Sequence, residues 1–194
     1  MFRTAAVFIL ILIALTVFPR SAPVMGNEDE ALRVMGDADY PPYEFLEDGN
    51  PAGFNVELME AVAREAELDI EIALDDWNKV RSKLENGEID AITGMYYSPA
   101  RDESVDFSDP FITVVHDIFF AAGAGIESME DLVGMTVAVQ GGDIMHDFLL
   151  ETDFPARVKS VVNPAEALLL VNRGEADGAL LVKYQGIYLT AEMG

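Results

Sequence analysis

Two short stretches decide the reading of this chain. Leu84-Glu85-Asn86-Gly87-Glu88-Ile89-Asp90 is echoed by Val171-Asn172-Arg173-Gly174-Glu175-Ala176-Asp177, with Gly, Glu and Asp recurring at an offset of 87 residues. In each, a helical pattern runs into Gly87 or Gly174, where a left-handed helix cap belongs, and a strand pattern follows. Two similar lobes are one reading of this echo. Any helix-to-strand junction accommodates Gly followed by polar residues, so three identities alone leave that second reading standing.

Outward from the first junction, Trp77, Val80, Arg81 and Leu84 have helical spacing, and Ala91 to Gly94 reads as the strand after it. Before it, Asp69 to Leu74 alternates as a strand, and a helix from Asn55 carries Val56, Met59, Val62 and Ala63 on one stripe. Leu32 to Gly36 is the first strand, and the turn and proline chemistry of Asp37 to Pro42 is expected to aim Tyr40 and Tyr43 outward. This order of alternating strands and helices predicts a mostly parallel sheet covered by helices. Around the second junction the plan repeats: strand Thr136 to Val139, helix Asp143 to Leu150, strand Arg157 to Val162, helix Asn163 to Arg173. Asn163, Pro164 and Glu166 form the start signal of that last helix. Phe111 to Ala122, an extended run ahead of Gly123-Ala124-Gly125, is the natural connector and reads as a hinge.

The chain has 194 residues, and 35 acids against 12 bases give a formal charge of −23. Nucleic acid and anionic membrane surfaces are therefore poor partners, because both need a basic footprint. With 51% hydrophobic residues the composition is globular rather than disordered. There is no cysteine, which removes disulfides, thiol catalysis and thiolate metal sites. The first 26 residues differ from the rest: Arg3, a run from Ala5 to Phe18 with only Thr16 polar, then Pro19 and small residues. This reads as a secretory signal cleaved after Gly26 with Val24 at the −3 position, an uncleaved anchor being the alternative. The mature chain is expected to be exported and periplasmic or otherwise extracytoplasmic, with no membrane span.

Constellations for catalysis are scarce. Neither His116 nor His146 has the neighbours that a nucleophile or zinc motif requires, and a structural role is expected for both. No metal and no cofactor is expected. Asp37 and Asp39 can be read as paired carboxylates or as an ordinary solvated loop. The informative segment is Thr93-Gly94-Met95-Tyr96-Tyr97-Ser98-Pro99-Ala100-Arg101, at a strand end that offers backbone donors, aromatic faces and a guanidinium fork. Open α/β sheets bind ligands at such strand ends. Gln140-Gly141-Gly142-Asp143 enters a second helix start, whose amides favour an anion. Arg101 reads as a ligand contact, or as a surface ion pair with Asp102 or Glu103.

Tyr40-Pro41-Pro42-Tyr43-Glu44-Phe45, Gly53-Phe54-Asn55-Val56-Glu57-Leu58, Trp77, Leu84 with Gly87 and Asp90, Ser98-Pro99-Ala100-Arg101 and Asp106-Phe107-Ser108-Asp109-Pro110 together resemble the bacterial extracellular solute-binding proteins of family 3, from about Leu32 to Tyr188. Gln140-Gly141-Gly142-Asp143-Ile144-Met145 and Asp177 to Lys183 are more similar to its sensor-associated branch. The resemblance implies an α/β, two-lobed periplasmic-binding-protein fold of type II, each lobe a mostly parallel sheet with flanking helices and a hinge between them. It implies lobe 1 at 27–112 lacking its C-terminal return, a hinge strand at 113–122, lobe 2 at 123–185 and the start of a return hinge at 186–194, so that the chain is expected to be C-terminally shortened.

The same resemblance implies that the lobes close on a small carboxylate solute, an amino acid or relative, for an ABC permease or a sensor kinase. Arg101 then matches the grip on the ligand carboxylate, helped by the backbone of Tyr96 and of Ile144, with Asp143 at that helix start. Tyr40 and Trp77 match the apolar walls, Asp37 the reader of a cationic distal end, and Gly94 a position where many members place a hydroxyl. Val182, five residues after Asp177, stands where members carry an acid for the ammonium, so Asp143 or Asp37 has to substitute. The alternative within the same resemblance is a periplasmic dehydratase of prephenate-like substrates, with Asp37, Asp143 or Glu44 as proton donor.

Overall fold

The computed structural model describes residues 31–193, and the expected leader at 1–26 lies outside them. The first lobe contains β1 (Leu32–Asp37), β2 (Asp39–Tyr40), β3 (Glu44–Glu47), β4 (Asn50–Ala52), α1 (Phe54–Glu65), β5 (Ile70–Asp75), α2 (Trp77–Glu85), β6 (Ala91–Ile92) and the single turn α3 (Pro99–Asp102). Its main sheet has the order β5-β1-β6, all parallel, and β2-β3-β4 form a separate antiparallel sheet. Helix α2 starts where the Asp76 carboxylate accepts from the amides of Asn78 and Lys79. It packs Val80 onto Met35 and Ile89, the buried cluster of this lobe.

The second lobe contains β7 (His116–Phe120), a 3-10 turn (Met129–Leu132), β8 (Thr136–Gln140), α4 (Ile144–Glu151), β9 (Arg157–Val161), α5 (Pro164–Asn172), β10 (Gly178–Val182) and α6 (Lys183–Met193). The sheet order is β7-β10-β8-β9, with β7 the antiparallel member. Strand alternation sorts its core into two layers. Ala138, Ala179 and Leu181 face Ala167, Leu168 and Val171 of α5, while Val137, Val139 and Leu180 face Leu149 of α4 and Leu132. Strand β10 is buried along its whole length because both of its faces are covered.

The repeated junctions are built alike. Gly87 and Gly174 adopt φ of 70° and 69°, the left-handed cap conformation that glycine takes without strain. The Asp90 carboxylate accepts from the Arg33 amide at 2.8 Å, and the Asp177 carboxylate accepts from the Thr136 amide at 2.7 Å. The amides of Asp90 and Asp177 return the bond to the carbonyls of Arg33 and Thr136. In each lobe the Asp of the repeated junction thus pins the start of a parallel strand, β1 or β8, which favours two similar lobes.

Three expectations need correction. Residues 186–193 belong to α6 rather than to a returning strand; Tyr184, Ile187 and Tyr188 have helical spacing, and Gln185 and Gly186 supply the buried side of that helix. Tyr43 is buried, not aimed outward, because the β2-β3-β4 sheet folds the Tyr40–Glu47 segment back over the first lobe. The connector at 113–122 is absorbed into the second lobe, since β7 pairs along β10.

Candidate functional site

A cavity of about 510 Å3 opens at the carboxyl ends of β1, β6 and β8. Six of the eight residues expected from sequence line it: Asp37, Tyr40, Trp77, Gly94, Tyr96 and Asp143. Arg101 and Ile144 are not among its lining residues. Aromatic faces dominate, with Tyr40 stacked on Tyr43 at 5.2 Å between ring centres and the Tyr40 hydroxyl 2.6 Å from that of Tyr96. Burial raises the pKa of both Tyr40 and Tyr96, so these hydroxyls stay neutral donors and acceptors. Gly94 packs closely on its neighbour: a Cβ there would lie 2.9 Å from Asn55 Nδ2, so a side chain at this position would require Asn55 to shift.

The charged lining is acidic throughout. Asp37, Glu44, Asp102, Asp109 and Asp143 face the cavity, and among the described residues no Lys, Arg or His lines it. Asp37 closes β1 and is 4% exposed; its carboxylate accepts from the Asp39 amide at 2.9 Å and from Gln140 Nε2 of the other lobe at 2.8 Å. Burial pushes its pKa up to about 6 against those two hydrogen bonds. Glu44 accepts from the Asp37 amide at 2.9 Å, from Asn55 Nδ2 at 3.3 Å and from the Thr93 hydroxyl, and burial pushes it up to about 7. Glu44 thus meets Asp37 through the Asp37 backbone amide. Asp39 is exposed and turns instead to Asn163 Nδ2 at 3.3 Å.

Asp143 stands at the N-cap position of α4 and lines the cavity, without a side-chain capping hydrogen bond. Burial raises its pKa, opposed by His116, the Ile144 amide and Arg101. His116 is lowered by its own burial and lies 3.9 Å from the Asp143 carboxylate, so both are held toward their neutral forms. The His116 Nε2 is buried without a hydrogen-bond partner, and its ring stands 5.0 Å from that of Tyr96. His146 has the structural role expected, its Nδ1 accepting from the Gly142 amide at 3.1 Å. Val182 is 1% exposed in β10 and is not among the cavity's lining residues.

Arg101 is 2% exposed and does not pair with Asp102 or Glu103. Ser98 caps the α3 turn by accepting from the Arg101 amide, and Pro99 presets its first residue. This aims the guanidinium across the cleft at Asp147 of α4 (Nη2 2.8 Å, Nε 3.2 Å) and at the Gly142 carbonyl (3.0 Å), with Nη1 on the Tyr96 carbonyl at 3.3 Å. The Gly142 carbonyl also accepts from Trp77 Nε1 at 2.8 Å and from Arg81 at 3.0 Å. Asp147 and Arg81 had no signal in the sequence, since the contacting residues lie in different lobes.

Such a cleft can hold a small polar solute between aromatic walls, with carboxylates for its positive groups and cross-cleft hydrogen bonds that join the lobes. Known proteins carry the same arrangement of chain. The arginine-binding extracellular protein ArtP of Bacillus subtilis (strain 168) is 40% identical over 116 residues, covering 59% of this chain and 46% of that protein. A probable histidine-binding protein of Neisseria gonorrhoeae is 32% identical over 149 residues, covering 73% of this chain and 56% of that protein. The chain thus spans about half the length of these curated relatives. A crystal structure of a histidine kinase sensor domain with similarity to periplasmic binding proteins superposes with a TM-score of 0.76 at 37% identity, covering 84% of this chain and 72% of that one. The two-lobed periplasmic-binding-protein fold expected from sequence is the fold observed. The family model spans residues 32–183, from the first strand through the second junction, and the chain belongs to the bacterial extracellular solute-binding proteins, family 3.

Proposed function

We propose that the protein is an extracytoplasmic receptor that closes its lobes on a basic amino acid or a close relative of one. The observation that carries this reading is the all-acidic charged lining of the cavity. A solute with a net positive charge meets favourable potential there, and an anionic one meets repulsion in a site where water screens little. Asp37 stands at one end of the cavity for a distal cation. Asp143 is the acid available to an α-ammonium in place of Val182, because a buried ammonium without an anion is costly. ArtP and the gonococcal protein are named for arginine and histidine binding, which supports the same class.

The dehydratase alternative fits less well. A prephenate-like substrate carries two carboxylates toward this acidic wall, and Glu44, an acid whose burial favours its protonated form, already gives its oxygens to Thr93, Asn55 and the Asp37 amide. Family members of this kind hand their solute to an ABC permease or signal to a kinase; the sensor-domain likeness supports the second output and the ArtP likeness the first.

The test is a thermal-shift titration of the chain with arginine, lysine, histidine, glutamine, glutamate and prephenate, since a ligand of the native state raises its midpoint. Basic amino acids are expected to give the largest shifts. A largest shift from glutamate or prephenate refutes the proposal.

A further inference from the structure

Asp147 stands on the first turn of α4 in the second lobe, with its side chain 21% exposed. A single oxygen, Oδ2, accepts from Arg101 Nη2 at 2.8 Å, Arg101 Nε at 3.2 Å and Arg81 Nη1 at 3.1 Å. Both arginines come from the first lobe. Nε and Nη2 form the edge of a guanidinium that pairs with a carboxylate in bidentate fashion. Here that edge is given to the protein's own carboxylate, with the second Nη2 hydrogen on the Gly142 carbonyl and one Nη1 hydrogen on the Tyr96 carbonyl. Of the five donors of Arg101, one N–H of Nη1 is left.

We propose that Asp147 is an internal competitor for the Arg101 fork: it ties the closed lobes together through Arg81 and Arg101, and a solute carboxylate takes that fork by exchange for it. The inference rests on the reading of the cavity as a basic amino-acid site. Exchange of one carboxylate for another leaves the charge around the two arginines unchanged, so the solute's carboxylate adds little net affinity. Recognition is thereby shifted to the cationic groups facing Asp37 and Asp143. A solute without a carboxylate fits the same closed form with the Asp147 contacts intact.

The experiment compares the chain with its Asp147→Asn variant by calorimetric titration with L-arginine and with agmatine, its decarboxylated analogue, and by small-angle scattering without solute. Asn keeps the shape while removing the charge, and Arg81→Gln, which withdraws one of the two partners, serves as the second variant. The ratio of arginine to agmatine affinity is expected to rise about ten-fold or more in Asp147→Asn, on the scale of a charge-assisted hydrogen bond, and by less in Arg81→Gln. The variant is also expected to have the larger radius of gyration without solute, because its lobes part more often. A ratio that stays within about two-fold of the parent overturns the proposal, since one lost charge-assisted bond exceeds that. If neither protein binds arginine or agmatine, the basic-solute reading fails, and scattering alone then decides: an unchanged radius overturns the Asp147 tie and a larger one supports it.

Discussion

Asp37→Asn separates the cost of a binding carboxylate from its use. Burial holds Asp37 at a pKa of about 6 in the folded chain against 3.8 as its ordinary value. Because the folded value is the higher one, the native state binds the proton more tightly than the unfolded chain does. Its stabilising contribution is complete below the unfolded value and is lost as the pH rises through about 6. A difference of about two pH units corresponds to about 3 kcal/mol of native stability lost at pH 8. Asn removes the charge and keeps the geometry: its Oδ1 still accepts from the Asp39 amide, and the Gln140 amide turns over to present its oxygen to the new Nδ2. For a chain of this size that is an increase of up to roughly 6–12 °C in the melting midpoint at pH 8. At pH 4 the two proteins should melt alike. The same substitution removes the anion that faces a solute cation, and arginine affinity should fall by about 2–5 kcal/mol in calorimetric titration. A variant that melts below the parent at pH 8, or that binds arginine as well as the parent, refutes the reasoning.

Two further outcomes follow from the same geometry. Arginine affinity should weaken about ten-fold per pH unit below 6 as Asp37 takes up its proton, because the solute's guanidinium does not titrate there; equal dissociation constants at pH 5 and pH 7.5 count against an ionised Asp37 in the complex. Trp77→Phe keeps an aromatic wall but loses the indole donor to the Gly142 carbonyl at 2.8 Å. Titration should show affinity reduced by about 0.5–1.5 kcal/mol through poorer closure, with the melting midpoint little changed.

What the sequence shows of this fold is what local chemistry determines. Asn163 before Pro164 and Glu166 marks the start of α5, and in the structure the Glu166 amide donates to the Asn163 side chain while the Glu166 carboxylate accepts from the amide of Val162, one residue ahead of the cap. The paired glycines mark helix ends because only their backbone accepts a positive φ cheaply. The β2-β3-β4 sheet is different: its strands are two to four residues long, two prolines lie between β2 and β3, and β4 contains Pro51. Strand periodicity has nothing to register over such lengths. Six of the eight expected site residues meet at one cavity because they sit at strand ends or helix starts, which chain order locates. Pairings across the chain are not located that way. Nothing near Glu44 in sequence signals its partner Thr93, which is 49 residues away. Arg101 has Asp102 and Glu103 beside it in sequence, yet its carboxylate is Asp147, 46 residues away on the other lobe.

The two sets of charges in the cleft divide the work of recognition. On the proposed reading the acidic cavity wall faces the solute's cation, whereas the arginines sit beside it, with the Arg101 guanidinium 6.0 Å from the centre of the Trp77 ring, and are already paired with carboxylates, both with Asp147 and Arg81 also with Glu85. A formal charge of −23 over the chain adds a long-range field of the same sign as the wall. Cationic solutes are drawn in by both, and salt should slow their association before it weakens the closed complex, because screening acts on the outer field more than on buried pairs. Closure itself depends on neutral and charged contacts that join the lobes at Gly142, Asp147 and Gln140. On the proposed reading, a receptor built this way would select its solute mainly by positive charge and aromatic fit, and hold its lobes together with groups of its own.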